Sequence, residues 1–459
     1  MTLQQMADGL GGLGDLQGQE ERIVTHIEKD SRLVKPGDVF ACIVGERFDG
    51  HNFVREAMRR GAAAVIVQRM VPELENTVPV LMVRDTVRAL GSLAHTWRMQ
   101  SSAQVAGITG TAGKTTLKEI LGSILSGTGR TAKSYKNWNN QLGMSLSMLA
   151  AEGDEAFWVM EAGISIKGDM DELGTILRPD LAIIHNIGPA HLEGLGSLEG
   201  VAEEKSRFLA SLQEGGTGLV SMDYPELFTR CRALAPEVVG FSTQDESARF
   251  FGRYLGRGEM GGRFMLRLDG YVFDLELPVW GEYMAENIVA AAAGAFLLKI
   301  PSEMIVKGLH AMHLPEQRFQ SRSAGQWTLI DDTYNANPLS MRRAISAAAD
   351  RSGKAPLVLV LGEMAELGEH SRQSHEELGE FIAASSCACV IFKGSFQEEL
   401  LNGLKKRGRE SIFHPVNSTS MGLRVLKDLG LEGGTVLFKG SRCCSMDDYF
   451  RAFLEELRS

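Results

Sequence analysis

The stretch Ala106-Gly107-Ile108-Thr109-Gly110-Thr111-Ala112-Gly113-Lys114-Thr115-Thr116 decides how this chain folds. An apolar run leads into it and a helix-forming run over 117–125 leaves it. Strand, glycine-rich turn and helix in that order build a phosphate cradle. Backbone N–H groups of the turn point at phosphate oxygens, and the helix N-terminus adds positive potential. Lys114 is expected to reach the outer phosphates, and the Thr115 hydroxyl to sit on Mg²⁺. The longer phosphate-loop pattern asks for glycine where Ile108 stands, so the match is to Gly110 through Thr116 only. A Gly/Thr-rich turn carrying a surface lysine is the plainer reading; the flanking strand and helix favour the nucleotide.

Working outward, 459 residues allow about three domains at roughly 150 residues each. The composition, 44% apolar and 23% charged, is that of a globular protein with ample core. A net charge of −10 leaves no electrostatic footprint for nucleic acid. No apolar run approaches the roughly 18 residues needed to cross a bilayer, so no membrane insertion is expected. Cys42, Cys231, Cys387, Cys389, Cys443 and Cys444 show no paired metal spacing and no disulfide frame, which suits reduced thiols in a cytoplasmic protein.

Three α/β units are expected, a P-loop parallel sheet flanked by a small N-terminal α/β domain (1–98) and a C-terminal Rossmann-like domain (314–459). In the first, 38–44 and 63–67 read as strands around a helix at 53–60, with a polar loop over 45–51. The central unit, 99–313, carries short apolar strands at 157–161, 181–186 and 218–221, alternating with helices as in a parallel sheet covered on both faces. Alternating residues over 249–280 predict an antiparallel hairpin addition, and 286–298 a buried helix. The third unit shows strands at 327–332, 357–362, 389–392 and 435–438. Such sheets bind ligands beyond the carboxyl ends of their strands, so the polar residues closing the strands are where chemistry is expected.

Glu161 closes one central strand, and His191 follows another in Gly188-Pro189-Ala190-His191-Leu192-Glu193. Lys205 lies in the helix after Ser197, a good N-cap. Fourteen residues separate His191 from Lys205, about 21 Å along one helix, so they meet only if His191 sits in a loop that folds back. One carboxylate and one imidazole make a partial shell for a divalent metal. Read alone, Lys205 is a surface lysine and His191 a histidine bonded to backbone. Glu363 and Glu366 read as solvent-exposed, and His370 and His375 as solvated in a charged helical run.

Taken together, these segments resemble the Mur ligase family, the ATP-dependent amide-forming enzymes of peptidoglycan synthesis. The resemblance runs through Asp30-Ser31-Arg32, Gly45 to His51, Gly110 to Thr116, Asn137-Trp138-Asn139-Asn140, Glu161-Ala162-Gly163 and Asn186 to Lys205. It continues through Asp331-Asp332-Thr333-Tyr334-Asn335-Ala336-Asn337-Pro338, Leu361 to Gly368 and Lys439-Gly440-Ser441-Arg442. It implies an enzyme that joins D-alanyl-D-alanine to a UDP-muramoyl tripeptide through an acyl phosphate. ATP and Mg²⁺ are the implied cofactors, and a monomer is expected. By the resemblance Gly110, Thr111, Ala112, Gly113, Lys114, Thr115 and Thr116 hold phosphates, and Thr115, Glu161, His191 and a carbamylated Lys205 serve the metal. Lys114, Lys205 and His191 are then catalytic. Asn287, Arg318, Asp332, Tyr334, Asn335 and Asn337 fall on the nucleotide stretches. Ser31, Arg32, Arg47, Asn139, Asn140, Lys439, Ser441 and Arg442 fall on the substrate stretches.

Three positions depart from the family pattern. The usual Gly-x-His-Asn-x-x-Asn reads Gly281-Glu282-Tyr283-Met284-Ala285-Glu286-Asn287, the usual Gly-Arg hinge reads Gln317-Arg318, and Pro-Gly-Glu-Ile reads Lys167-Gly168-Asp169-Met170. A related ligase adding a different amino acid or peptide to a UDP-muramoyl or other carboxylate acceptor is the nearest rival. The Asp-Asn-Pro-Arg motif of the diaminopimelate-adding type is absent from the chain. A non-catalytic protein that kept the fold would be expected to lose Lys114, Glu161, His191 or Lys205, and all four are present. A plain ATPase or kinase would release phosphate without needing both an acyl and an amine substrate.

Overall fold

Three sheets in chain order organise the computed structural model, which describes residues 1–11, 14–74, 77–235 and 237–458. The N-terminal sheet runs Gly14–Asp15, Val80–Met82, Ala64–Val67, Val39–Ala41, Ile27–Glu28 across its width, parallel except at the first pair. Its inner strands, Ala64–Val67 and Val39–Ala41, are short and fully buried, as in a small α/β unit.

The central sheet is wide, with nine strands among the described residues. Gln104–Thr109 lies inside it, parallel to Phe157–Glu161 on one side and Leu181–Ile184 on the other. From Val105 onward this strand is buried on both faces, which is why it reads as a continuous apolar run rather than an alternation. The 249–280 segment forms three strands, Phe250–Arg257, Gly262–Leu268 and Tyr271–Leu277, two of them an antiparallel extension of the same sheet. The Ala-rich helix Glu282–Leu297 is almost wholly buried against them.

In the C-terminal sheet Trp327–Asp332, Gly434–Lys439, Leu357–Gly362, Cys389–Lys393 and Phe413–Pro415 are parallel. The polar strand Gln320–Ala324 pairs antiparallel at its edge. His375, expected in solvent, is buried instead. Its ring stacks on Phe396 at 4.4 Å, Nδ1 donates to the Ser371 carbonyl and Nε2 accepts from the Met364 N–H at 3.0 Å. Burial pushes its pKa down, so the neutral ring that these two bonds need is the stable form. Among the described residues no helix is long and apolar enough to cross a membrane.

Candidate active site

The helix after the glycine-rich turn starts at Lys114, one turn earlier than its apolar residues suggest. Gly113 caps it at φ +87°, and a Cβ there would lie 2.9 Å from the Asn287 Oδ1, so glycine is required by both conformation and space. Thr115 and Thr116 occupy the first helical turn, where N–H groups have no intrahelical partner. The turn is braced from the next strand: Asn186 Oδ1 accepts from the Thr111 and Ala112 amides, both at 3.0 Å, and Asn186 Nδ2 donates to the Ala112 carbonyl at 2.9 Å.

Acid and cation converge at this turn. Thr115 Oγ1 donates to Glu161 Oε2 at 3.2 Å. The other carboxylate oxygen, Oε1, receives no hydrogen bond but lies 3.3 Å from Lys118 Nζ, and both side chains are fully buried. Lys118 also donates to the carbonyls of Ser134 at 2.8 Å and Lys136 at 2.7 Å, tying Glu161 to the segment that leads into Asn139 and Asn140. Sequence reading missed Lys118. The available signal was a lysine one turn after Lys114, on a helix whose neighbours Leu117, Ile120 and Leu121 are all core.

Lys205 is buried, on a helix capped by Ser197 as expected. Its Nζ donates to the Gly110 carbonyl at 3.2 Å, and Lys114 Nζ donates to the same oxygen at 2.7 Å. Burial, then the Lys114 charge, press the Lys205 pKa well below the usual lysine range, against a smaller opposing pull from Glu204. His191, at φ +52°, caps the short helix Leu192–Leu195 and turns back to the site. Its Nδ1 lies 2.7 Å from Glu366 Oε2, a contact between loops of the central and C-terminal units. Glu366 is therefore engaged, and its pKa is lowered chiefly by the bond to His191, although it remains largely exposed as expected. Glu363 is half-buried, its Oε2 accepting from the Ser395 amide.

A cavity of ≈ 360 Å³ opens in front of these groups. The central sheet contributes Thr111 to Thr115, Asn139, Asn140, Glu161 and His191 to its walls. The C-terminal unit contributes Arg318, Tyr334, Asn335, Asn337 and Glu366. Lys205 lies behind the turn rather than on this wall. Arg318 stacks on the Tyr334 ring at 3.9 Å and points Nη2 at Thr115 Oγ1, 3.4 Å away. Asn337 caps the helix Pro338–Ser352 and donates to the Thr111 carbonyl at 3.4 Å. Gln317 and Phe319 on either side of Arg318 both have positive φ, +58° and +54°, so the connection between the two units is sharply bent where a glycine is usual.

A second, smaller cavity of ≈ 50 Å³ lies on the Gly113 and Thr116 side of the turn, bordered by Tyr283, Met284, Phe319, Asp332, Arg343 and Lys439. Tyr283 meets Phe319 edge-on at 5.9 Å, so an aromatic and a thioether stand where the family pattern has His-Asn. Asn287 donates to the Tyr283 carbonyl at 2.9 Å and leaves its Oδ1 unpartnered beside Gly113. Lys439 is buried, bonded to Asp332 at 2.7 Å and the Asn335 carbonyl at 2.8 Å, and Ser441 holds the Ala365 amide at 2.8 Å. Arg442 is exposed, near Gln317.

The N-terminal candidates stand apart from both cavities. Ser31 donates to Glu56 at 2.7 Å, Arg32 pairs with Asp30 at 2.7 Å, and Arg47 is exposed. Lys29 reaches across from this unit, 4.6 Å over the Trp138 ring, and so contacts the loop that carries Asn139.

The Thr115 hydroxyl and the Glu161 carboxylate are hard oxygen donors beside the cavity. This donor set fits Mg²⁺, with His191 at the cavity rim.

Family models match in series along the chain. The Mur ligase family catalytic domain matches residues 23–98, the Mur ligase middle domain 108–295, and the Mur ligase glutamate ligase domain 317–442. The UDP-N-acetylmuramoyl-tripeptide–D-alanyl-D-alanine ligase of Escherichia coli is 32% identical over 99% of this chain and 98% of its own. The crystal structure of MurF from Acinetobacter baumannii superposes with a TM-score of 0.90 at 31% identity, covering 99% of this chain and 98% of that one. MurF ligase from Thermotoga maritima in complex with ADP gives 0.82 at 28% identity, covering 95% and 98%. The chain belongs to the Mur ligase family of ATP-dependent ligases.

Proposed function

We propose that this ligase joins D-alanyl-D-alanine to UDP-N-acetylmuramoyl-tripeptide at the expense of ATP, a cytoplasmic step of peptidoglycan precursor synthesis. The relatives that match nearly end to end carry that activity in their names. The observation that carries the chemistry is the convergence of Lys114, Lys205, Thr115 and Glu161 on one glycine-rich turn, opposite a wall supplied by another domain. The domain limits 1–98, 99–313 and 314–459 belong to the same reading, the first unit holding the UDP-sugar through Ser31, Arg32 and Arg47.

A carboxylate does not react with an amine at neutral pH, so it must first be activated. One oxygen of the tripeptide carboxylate attacks the γ-phosphorus, and the bond to ADP breaks. The amine nitrogen of the dipeptide then attacks the acyl carbon. The carbon–oxygen bond to phosphate breaks, phosphate leaves, and the nitrogen loses a proton. Lys114 and the amides at the start of its helix stabilise charge on the transferring group. Lys114 releases Gly110 to do so. Thr115, Glu161 and His191 would hold Mg²⁺, which supplies further neutralising charge. Lys205, driven toward its neutral amine by burial, is the form that adds CO₂ to give a carbamate anion and a released proton. Arg318, Tyr334, Asn335, Asn337 and Asp332 orient the nucleotide from the C-terminal side, with Asn287 beneath Gly113. Asn139, Asn140 and Arg442 face the peptide substrates as the domains close, while Lys439 and Ser441 support that wall from within through Asp332, the Asn335 carbonyl and the Ala365 amide. The contacts Asn337–Thr111, Arg318–Thr115 and Glu366–His191 keep water from the acyl phosphate.

The test is amide formation with ATP, Mg²⁺ and UDP-muramoyl tripeptide against a panel of dipeptides and amino acids. Strong selectivity for D-alanyl-D-alanine is expected; preference for a single amino acid would move the chain to another branch of the family.

A further inference from the structure

A chain of polar contacts, half-buried at Arg343 and Tyr224 and fully buried from Glu286 inward, runs from the C-terminal domain to the phosphate turn by a route outside the main cavity. Arg343, on the helix Pro338–Ser352, donates through Nη2 to Glu286 Oε2 at 2.7 Å and to the Tyr224 hydroxyl at 2.9 Å. Tyr224 in turn donates to Glu286 Oε1 at 3.0 Å. Glu286 lies on the central helix Glu282–Leu297 and is buried, within the segment that departs from the family pattern. Its Oε2 also accepts from Asn186 Nδ2 at 3.1 Å, and that same amide side chain holds both N–H groups of Thr111 and Ala112. His185 packs alongside, its Nε2 3.4 Å from Glu286 Oε2 and its Nδ1 3.1 Å from the Ala112 carbonyl.

We propose that Arg343 is a positioning residue that couples docking of the C-terminal domain to the shape of the phosphate turn, acting through Glu286 and Asn186. The inference rests on the ligase reading for the identity of the nucleotide, but the coupling itself is a property of the fold. Among the described residues, Arg343 is the one cation paired with Glu286 apart from the neighbouring imidazole. When the C-terminal domain swings away at Gln317–Phe319, Glu286 is left as a buried carboxylate without its guanidinium. A buried carboxylate that loses its pair turns toward water. That movement weakens what it offers Asn186, and with that the brace on the Thr111 and Ala112 amides. Domain closure and a turn shaped for phosphate thus favour one another, and nucleotide that binds the shaped turn favours closure to the same extent.

The experiment uses the full chain and Arg343→Ala, Arg343→Lys, Glu286→Gln and the Arg343→Ala/Glu286→Gln pair. Binding of a non-hydrolysable ATP analogue with Mg²⁺ is measured by calorimetry. Backbone hydrogen exchange of the 106–116 segment is followed in parallel, and KM for ATP and for the dipeptide are compared. Arg343→Ala and Glu286→Gln should each weaken the analogue by roughly tenfold or more, the scale of one charge-assisted hydrogen bond. The pair should be no weaker than the worse single variant, Arg343→Lys should recover part of the loss, and exchange at Thr111 and Ala112 should quicken. KM for the dipeptide should hold while KM for ATP rises, a split that general loosening of the fold would not give. Unchanged analogue affinity in Arg343→Ala, or losses that multiply in the pair, would overturn the proposal. Should Arg343→Ala fail to fold, Glu286→Gln and Arg343→Lys carry the same comparison: weaker binding with faster exchange supports the coupling, and parent-like values in both overturn it. A parent that binds nucleotide and shows these responses but forms no amide would count against the ligase reading and leave the coupling standing.

Discussion

Replacing Lys118 by methionine is the sharpest perturbation the site offers, because the lysine has no solvent to fall back on. Its ammonium is fully buried against Glu161, also fully buried, at 3.3 Å, and it serves the Ser134 and Lys136 carbonyls. Removing one partner of a buried ion pair costs about 3–5 kcal/mol, because the remaining charge is uncompensated. Each orphaned carbonyl adds on the order of 1 kcal/mol. Against this, Glu161 borders the cavity and lies within reach of the Lys114 and Arg318 charges, so part of the loss is recovered. A net loss of about 4 kcal/mol follows, equivalent to a fall of roughly 8–16 °C in the midpoint of the central domain, at about 2–4 °C per kcal/mol. The assay is thermal unfolding followed by tryptophan fluorescence, since Trp158 is buried on the same strand as Glu161. Lys118→Met/Glu161→Leu should regain part of that stability, because removing both charges leaves only the two carbonyls without their donor, and should remain inactive. A midpoint for Lys118→Met within about 2 °C of the parent, or a double variant less stable than the single, would refute the reasoning.

Lys114→Ala should lower amide formation by about a hundredfold to a thousandfold, as loss of one preorganised charge donor does, with turnover measured by phosphate release. Lys205→Ala should lose most activity and regain part of it with added short carboxylates, which supply the anion the carbamate would carry; an active variant without additive returns Lys205 to a structural role. His185 gives a pH signature. Burial holds its pKa at about 4, against 6.5 when unfolded. Between those values the unfolded chain takes up a proton that the native protein refuses, so stability falls as pH drops below about 6.5 and levels off near 4. At about pH 5 the loss is roughly 2 kcal/mol, and His185→Asn should show a correspondingly flatter fall of unfolding midpoint between about pH 7 and pH 5.

The parts of this molecule that could be read from sequence are those written in contiguous residues. A strand, a turn with Gly113 and the helix that follows it announce themselves locally, as do strands that end in Glu161 or Asp332. The edge strand Gln320–Ala324 could not be read, because it is held by backbone pairing with Trp327–Asp332 and shows little apolar alternation. Lys118, Asn186, Glu286 and Arg343 were hidden for a related reason. A buried charge declares itself through its partner, and these partners lie up to 119 residues apart in Tyr224–Arg343. His375 looked solvated because its neighbours are charged, yet it faces Phe396 and the Met364 amide from one side of its helix. Arg318 and Asn337, singled out through the family resemblance, do reach the phosphate turn, whereas the consequence of Tyr283-Met284 emerged only with Phe319 placed against the tyrosine.

The most direct test of the acyl-phosphate account is oxygen transfer. With both terminal carboxylate oxygens of the tripeptide labelled as oxygen-18, single-turnover reaction with ATP and D-alanyl-D-alanine should deliver one labelled oxygen to inorganic phosphate for each amide formed. Phosphate free of label, with amide made at the normal rate, would contradict it.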